Sequence, residues 1–305
     1  MYLIDTEDQW RESEAIRHLL GNPLHQEHVL GPMGLGTLSW IMMEVDNSLL
    51  LPSIVGEVDI LAGPLEFRAP EDFQEALKRR KTENPDSHPS WPELFAAKEV
   101  SEAGGILWPP RVSYVIGVEV KCAYFSDRLH SAKDSNSHVR RIRKQLDRLK
   151  SMGVDRMALL DVIANPPSQG LNSNPWFEAA SRADHSLRAM KDILQARLPA
   201  ETPSGHFVWS AGAVVGGDES VRGAGVPEMI RPPMVNPSLA AGDPQVLASR
   251  ELLRGRISRT LGSLPQPIYF PAMFVGCRAC KKMRAFHDPV CDCGGWLASN
   301  EAARS

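Results

Sequence analysis

Two apolar runs that carry acidic residues inside them constrain this chain more than any other feature. Residues 56–61 read G-E-V-D-I-L, and residues 115–121 read V-I-G-V-E-V-K. Alternate residues of an extended strand share a face, so Glu119 and Lys121 project to one side of the second run. A charge on so apolar a strand costs several kcal/mol unless it is paired or binds a metal. Asp59 on one strand and Glu119 on another, with Lys121 beside it, therefore suggest a divalent-cation site.

The order Asp59, a long gap and then Glu119-x-Lys121 resembles the active site of the PD-(D/E)XK nuclease superfamily. A basic helix predicted over 138–152 follows the second run, as it does in that superfamily. One branch carries Gln-x-x-x-Tyr on this helix; here Gln145 is present and Leu149 stands at the tyrosine position.

This resemblance implies a restriction-endonuclease-like α/β fold, a mixed sheet flanked by helices with an αβββαβ core. It also implies Mg²⁺ or Mn²⁺ held by Asp59, Glu119 and the carbonyl of Val120. Lys121 would position the attacking water or steady developing charge, and Gln145 would orient the lysine or the substrate. The superfamily often adds one acid from its first helix, and Glu14 is the candidate here.

The same residues allow plainer interpretations. Asp59, Glu119 and Lys121 could be solvated or ion-paired at a sheet edge, because structural ion pairs imitate functional sites. Glu14 could be an exposed glutamate near the start of a helix.

The predicted helix over 138–152 has an apolar stripe formed by Val139, Ile142, Leu146 and Leu149. Its other face carries six cations, namely Arg140, Arg141, Arg143, Lys144, Arg148 and Lys150. Such a face predicts contacts with a phosphate backbone, and Arg140, Arg141, Arg143 and Lys144 are the candidates. A solvated helix face explains the pattern equally well.

Four of the five cysteines cluster near the end of the chain, as Cys277-x-x-Cys280 and Cys291-x-Cys293. Four thiolates that converge tetrahedrally at about 2.3 Å bind Zn²⁺, and this spacing resembles a zinc ribbon. The second pair is one residue shorter than the family pattern. We expect a closed, structural zinc site; the alternatives are a disulfide, which a reducing compartment disfavours, and free thiols.

The net charge is −3 at pH 7, so nucleic-acid binding would depend on local basic patches. No stretch approaches the roughly 18 apolar residues of a membrane span, and the acidic start of the chain lacks a signal-peptide pattern. We therefore expect a cytoplasmic protein without a membrane partner.

The predicted organisation is a nuclease-like domain over 1–215 with an insertion at about 70–110, a linker and helix over 216–265, and a zinc-ribbon-like module over 266–305. Strands are predicted over 49–61, 113–124, 157–163, 207–215 and 268–275. Helices are predicted over 10–20, 71–81, 91–100, 138–152, 176–198 and 245–264, and a loop, lid or linker over 216–244.

The sequence thus predicts a metal-dependent nuclease that acts on DNA, in a setting that the resemblance suggests is prokaryotic restriction or antiviral defence. The resemblance also allows a homodimer or a partner protein of a defence complex. The alternative is a non-catalytic, nuclease-like subunit that binds nucleic acid or helps to assemble a larger complex.

Overall fold

The computed structural model of the chain describes residues 16, 19–20, 23–36, 38–51, 54, 56–85, 98–124, 132–164, 198, 202–211, 227–266, 270–277, 279–286 and 291–294. These residues form an α/β structure with a mixed sheet and helices flanking it. The predicted fold class is confirmed at this level. Glu14 lies outside the described residues, as do most of the predicted helices over 10–20, 91–100 and 176–198.

Nine strands and six α-helices are numbered in chain order among the described residues, which also include a 3₁₀ helix over Gly31–Met33. The strands are β1 (Ser39–Asp46), β2 (Glu57–Pro64), β3 (Ile116–Tyr124), β4 (Arg156–Ala164), β5 (Gly205–Ala211), β6 (Glu228–Arg231), β7 (Met234–Val235), β8 (Ala272–Gly276) and β9 (Met283–Ala285). The helices are α1 (Pro23–Leu30), α2 (Asn47–Leu50), α3 (Pro70–Glu83), α4 (Ala132–Met152), α5 (Pro237–Ala240) and α6 (Pro244–Gly262).

The chain divides into two compact units, each assembled from separate stretches. Unit one consists of Met1–Met33, Val118–Ser151 and Arg156–Ala241. Unit two consists of Gly34–Gly117, Met152–Asp155 and Gly242–Ser305. Strand β3 starts in unit two and continues into unit one after Gly117.

Within unit one the strand order is β6-β5-β4-β3. Strands β4 and β5 are parallel, with Ala158 opposite Gly205, and β6 runs antiparallel to β5. The short strand β7 pairs with the start of β4, where Met157 faces Met234. The side chain of Asn236 donates to the Lys150 carbonyl at 3.0 Å, which satisfies a carbonyl at the end of α4.

Within unit two the order is β2-β1-β8-β9. Strand β1 pairs antiparallel with β2 and parallel with β8, where Trp40 faces Ala272. Gly276 ends β8 against β1 so closely that an added Cβ would lie 2.1 Å from the Glu44 carbonyl oxygen. Only glycine fits this approach of two backbones.

A buried carboxylate helps to hold helix α6 to the rest of unit two. Asp155 accepts hydrogen bonds from the backbone N–H of Val115 at 2.8 Å and from Arg254 at 3.1 Å, and it also pairs with Arg250. Asp243 begins the helix by accepting from the N–H of Gln245 at 2.9 Å, as an N-cap does. Arg250 and Arg254 of this helix are therefore engaged in ion pairs within the protein.

Two of the predicted elements differ from the structure. The strand predicted over 49–61 is interrupted, because Asp46 caps α2 through the N–H of Ser48 and β2 begins only at Glu57. The loop predicted over 216–244 contains β6, β7 and α5 in its described part. These short strands form because β5 and β4 offer them backbone partners, a long-range effect that local composition does not reveal.

Candidate metal centre and charged strand

The four predicted cysteines converge. The sulfur atoms of Cys277 and Cys293 lie 3.7 Å apart, those of Cys280 and Cys291 lie 3.5 Å apart, and all four lie within 4.8 Å of one another. Four sulfurs at about 2.3 Å from one zinc ion would be about 3.8 Å apart. The four cysteines are free thiols and are positioned to bind a metal ion, with distances that suit zinc.

Tight backbone turns bring the cysteines together. The N–H of Lys281 donates to the Cys277 carbonyl at 2.7 Å, and Lys281 has a φ of 62°. The N–H of Gly294 donates to the Cys291 carbonyl at 2.7 Å, and Gly294 has a φ of 80°. Each cysteine pair is thus followed by a left-handed residue, which turns the chain back on itself.

The charge around the cluster favours the thiolate form that a metal requires. The backbone N–H of Cys293 and the guanidinium of Arg284 both donate to the Cys291 sulfur and lower the pKa of Cys291 to about 6. The Arg284 Nε lies 3.2 Å from that sulfur, and the same side chain reaches Asp292 at 2.6 Å. The bond to sulfur raises the pKa of Arg284 and keeps it a cation. A thiolate is the metal-binding form of cysteine, so these donors prepare the cluster for a metal.

Strand β3 carries the second candidate site. Glu119 and Lys121 are each 1% exposed and are two residues apart on one strand. Oε1 of Glu119 accepts from Arg148 of α4 at 2.8 Å, and the Lys121 ammonium donates to the Val120 carbonyl oxygen. The basic helix therefore contacts the predicted glutamate. The contact is made by Arg148, one of the six cations that the sequence assigns to the polar face of the helix.

Gln145 lies three residues before Arg148, on the neighbouring part of the same helix. Its side chain is half-buried, and its Oε1 atom is buried without a hydrogen-bond partner among the described residues. A buried amide oxygen without a partner is costly, so a hydrogen-bond donor at this atom would be stabilising.

The four predicted phosphate-binding side chains of α4 point away from its apolar stripe. Ile142, Leu146 and Leu149 are buried, whereas Arg140, Arg141, Arg143 and Lys144 are exposed.

Asp59 lies on β2 of unit two and is half-buried. The register of β1 and β2, with Met43 opposite Ile60 and Val45 opposite Val58, places Glu44 across from Asp59. Glu44 is 5% exposed and has a φ of 53°, in the left-handed region. Sequence reasoning missed this residue, although a lone glutamate inside the apolar run 38–45 was a signal of the same kind as Glu119.

The described carboxylates do not form a ready cation site. Among the described residues, the cysteine cluster is the one group of at least three histidine, cysteine, aspartate or glutamate side chains whose ligand atoms lie within 4.8 Å of one another. A further buried pair, His206 with Asp161 at 2.8 Å, links β5 to β4 in unit one. Asp161 was also visible in the sequence as an acid within an apolar run.

Comparison of the chain with protein-family models, curated proteins and solved structures finds no match. None of the described helices is long and apolar enough to cross a membrane.

Proposed function

We propose that the chain is a metal-dependent nuclease with a restriction-endonuclease-like fold and a structural zinc ion bound by its four C-terminal cysteines. The substrate proposed is DNA, and the setting is prokaryotic restriction or antiviral defence. The observation that carries the proposal is the burial of Glu119 and Lys121 side by side on β3, with a cation from the basic helix on the glutamate.

Burial of two charged side chains, with a half-buried arginine on one of them, is expensive, and its stabilising value is small. Replacing a buried ion pair by apolar residues of similar volume is often neutral or stabilising. Selection for stability alone would therefore not favour Glu119, Lys121 and Arg148 at this position. A chemical role for the carboxylate and the ammonium accounts for them.

The two oxygens that the resemblance assigns to Mg²⁺ each have a cation against them. Arg148 lies on the Glu119 carboxylate, and Lys121 lies on the Val120 carbonyl. The protein therefore already places positive charge next to both oxygens. Arg148 lies on Oε1 of Glu119 and Lys121 on the Val120 carbonyl oxygen, so a divalent ion at either of these two atoms would compete with that cation.

The resemblance adds Asp59 to this ligand set, and a bound Mg²⁺ would supply Lewis-acid polarisation of the scissile phosphate and an activated water. The chain itself would contribute the Lys121 ammonium, which can donate three hydrogen bonds and would hold the water or stabilise charge on the phosphate. The resemblance gives Gln145 a role in orienting the lysine or the substrate, and its Oε1 atom has no hydrogen-bond partner among the described residues. The exposed cations of α4 would hold the phosphate backbone.

A non-catalytic subunit is the second candidate, and one observation favours it. The Arg148–Glu119 bond at 2.8 Å is also what a purely structural ion pair between a helix and a strand would show. In that case Lys121 and Gln145 would have no role in chemistry, and the basic face of α4 would bind nucleic acid without cutting it.

Incubation of supercoiled plasmid with the purified protein separates the two candidates. We expect nicked or linear DNA with Mg²⁺ or Mn²⁺ and none with a chelator. Lys121→Met keeps the bulk of the buried side chain and removes its charge, so it should abolish cleavage while DNA binding persists. Lys78→Ala, at an exposed lysine of α3, is the matched control and should cut normally. Full cleavage by Lys121→Met, or DNA binding without cleavage under every metal condition, would contradict the proposed function.

A further inference from the structure

Helix α6 buries only one of its faces. The helix rotates by about 100° per residue, which puts its buried residues on one side, namely Val246, Leu253, Ile257 and Leu261. The opposite side is exposed and carries Ala248, Glu251, Leu252, Gly255 and Arg259. Leu252 is 45% exposed, so no described part of the chain covers this side. We call these five residues the outer face of α6.

Gly255 lies at the centre of the outer face, and nothing within the chain requires a glycine there. Glycine inside a helix is destabilising relative to alanine. An added Cβ at Gly255 would have no described atom within 4 Å outside the helix itself. Gly262 differs, because its added Cβ would lie 3.0 Å from the Pro109 Cβ. A helix without a side chain at this point lets a second helix approach closely, which would account for Gly255.

Two opposite charges flank Gly255 at equal distances along the helix. Glu251 comes four residues before it and Arg259 four residues after it. The Glu251 side chain is 73% exposed, and its one ion pair with a described residue is the contact of 3.6 Å to Arg254. A carboxylate has about four acceptor positions, so Glu251 can accept a further donor.

The Arg259 side chain has no carboxylate against it among the described residues. Its Nε donates to the Gly255 carbonyl oxygen of the same helix at 3.2 Å, and the residue is exposed. The charge of the guanidinium is therefore available to an acid on another molecule.

The outer face is complementary to itself. If two copies of α6 cross antiparallel at Gly255, a residue four positions before the crossing faces the residue four positions after it in the other copy. Glu251 then meets the partner's Arg259, and the reverse pair forms on the other side of the twofold axis. Like charges are held eight residues apart along the axis, which is about 12 Å. A parallel crossing would bring glutamate against glutamate, so the charges favour the antiparallel one.

We propose that two copies of this chain form a twofold-symmetric dimer through the outer faces of α6, with Gly255 at the crossing. Leu252 lies beside Arg259 of the partner subunit in this arrangement and packs on the apolar stem of that side chain. One helix pair is a small contact compared with the roughly 1,200–2,000 Å² of stable complexes, so the dimer should dissociate on dilution. The inference is independent of the proposed function, because the outer face contains none of the residues assigned to metal or nucleic-acid binding.

Sedimentation velocity of the full chain, from low micromolar to near-millimolar concentration, tests the dimer. The native protein should change from monomer to dimer across this range. Glu251→Arg and Arg259→Glu each convert two attractions into two repulsions, so each should weaken the dimer about tenfold. Glu75→Arg makes the same charge change at an exposed glutamate of α3, and this control should dimerise as the native protein does.

Charge exchange tests the geometry of the contact. The double variant Glu251→Arg with Arg259→Glu should recover the native affinity, because both pairs form again with their signs reversed. An equimolar mixture of the two single variants should also form dimers, since one copy then presents two cations and the other two acids. Recovery in the double variant and in the mixture also shows that the single variants are folded.

Three results would overturn the inference. These are a native protein that stays monomeric at every concentration, a dimer that neither single variant weakens, and a loss of dimer that neither the double variant nor the mixture restores. None of them bears on the nuclease proposal, which plasmid cleavage tests separately.

Discussion

The cysteine cluster and strand β3 both place cationic side chains against atoms that could bind a metal, but the cations have opposite effects. In the cluster, Arg284 donates to the Cys291 sulfur from outside and leaves the four sulfurs converging on one point. On β3, Arg148 contacts Oε1 of Glu119 directly, and Lys121 donates directly to the Val120 carbonyl oxygen. Suitable ligand atoms therefore define a metal site only when they also converge.

The largest expected effect is loss of metal from the cysteine cluster. The native protein should contain about one zinc ion per chain, and Cys277→Ser or Cys293→Ser should lose it. Because metal binding and local folding share one free energy of about 10–16 kcal/mol, the β8–β9 hairpin should then lose its protection from hydrogen exchange. Metal analysis and exchange mass spectrometry measure both, with Cys122→Ser as the control that keeps zinc. Stoichiometric zinc in both serine variants would show that the ligand assignment is wrong.

Arg148→Met tests the contrast between the cysteine cluster and strand β3. We expect it to make the fold less stable and to make Mg²⁺ binding tighter. Removal of one partner from the buried pair should lower the free energy of unfolding by about 3–5 kcal/mol, since Glu119 is left buried and charged. Mg²⁺ should at the same time bind more tightly, because the guanidinium no longer competes for the carboxylate. Urea unfolding with and without Mg²⁺ measures both quantities. If Mg²⁺ stabilises neither the variant nor the native protein, β3 is structural.

Asp59→Ala should weaken Mg²⁺ binding by about a hundredfold. This factor is near the upper end of the range expected when one interaction with a charged group is lost. Zinc content should not change, because the cysteines supply an independent ligand set. Calorimetric titration of zinc-loaded protein gives the Mg²⁺ affinity. An unchanged affinity would remove Asp59 from the proposed ligands.

Reversal of three exposed cations, as Arg140→Glu, Arg141→Glu and Lys144→Glu, should weaken DNA binding for every sequence. It should also reduce the slope of log affinity against log salt by about 0.9 for each phosphate that the helix no longer neutralises. Binding measured at several salt concentrations gives this slope. A slope equal to that of the native protein would mean that the face of α4 is only solvated.

The smallest effect concerns Asp46, which accepts from the N–H of Ser48 at 2.9 Å and lies 3.4 Å from Lys281 next to the cysteine cluster. The hydrogen bonds from Ser48 lower the pKa of Asp46 below its usual 3.8. Because the pKa is lowered in the folded protein, ionised Asp46 stabilises the fold at pH values above the usual pKa of the group. This stabilisation is lost as the pH falls through the lowered pKa. Asp46→Ala should therefore cost about 0.5–2 kcal/mol at pH 7, with a smaller difference from the native protein near pH 3, as measured by urea unfolding.

The sequence predicted the parts of this fold that depend on local patterns. Helix α4 shows a 3.6-residue apolar stripe, and β3 and β4 are apolar, β-branched runs, so their types and approximate positions could be predicted. The cysteines could be predicted because their short spacing is itself the signal. Their convergence is confirmed, whereas the roles of Asp59, Glu119 and Lys121 stay predictions.

Long-range contacts could not be predicted from such patterns. Nothing in the local sequence shows that Arg148, and not Arg143 or Lys144, reaches the strand, since all are cations within one helix. Nor does it show that Asp155 occupies Arg250 and Arg254, or that Glu44 lies across from Asp59. These contacts depend on the register of elements far apart in the chain, which a single sequence does not specify.

The parallel pairing of β1 with β8 has a consequence for how the protein folds during its synthesis on the ribosome. Ala272 leaves the ribosome long after Trp40, its partner across the ladder, and at 5–20 residues per second the delay is on the order of tens of seconds. Throughout that time the edge of β1 that β8 will cover is open to other chains, although all residues of β1 except Asp46 are buried in the finished protein. Rapid synthesis or a chaperone that shields nascent chains should therefore raise the yield of native protein.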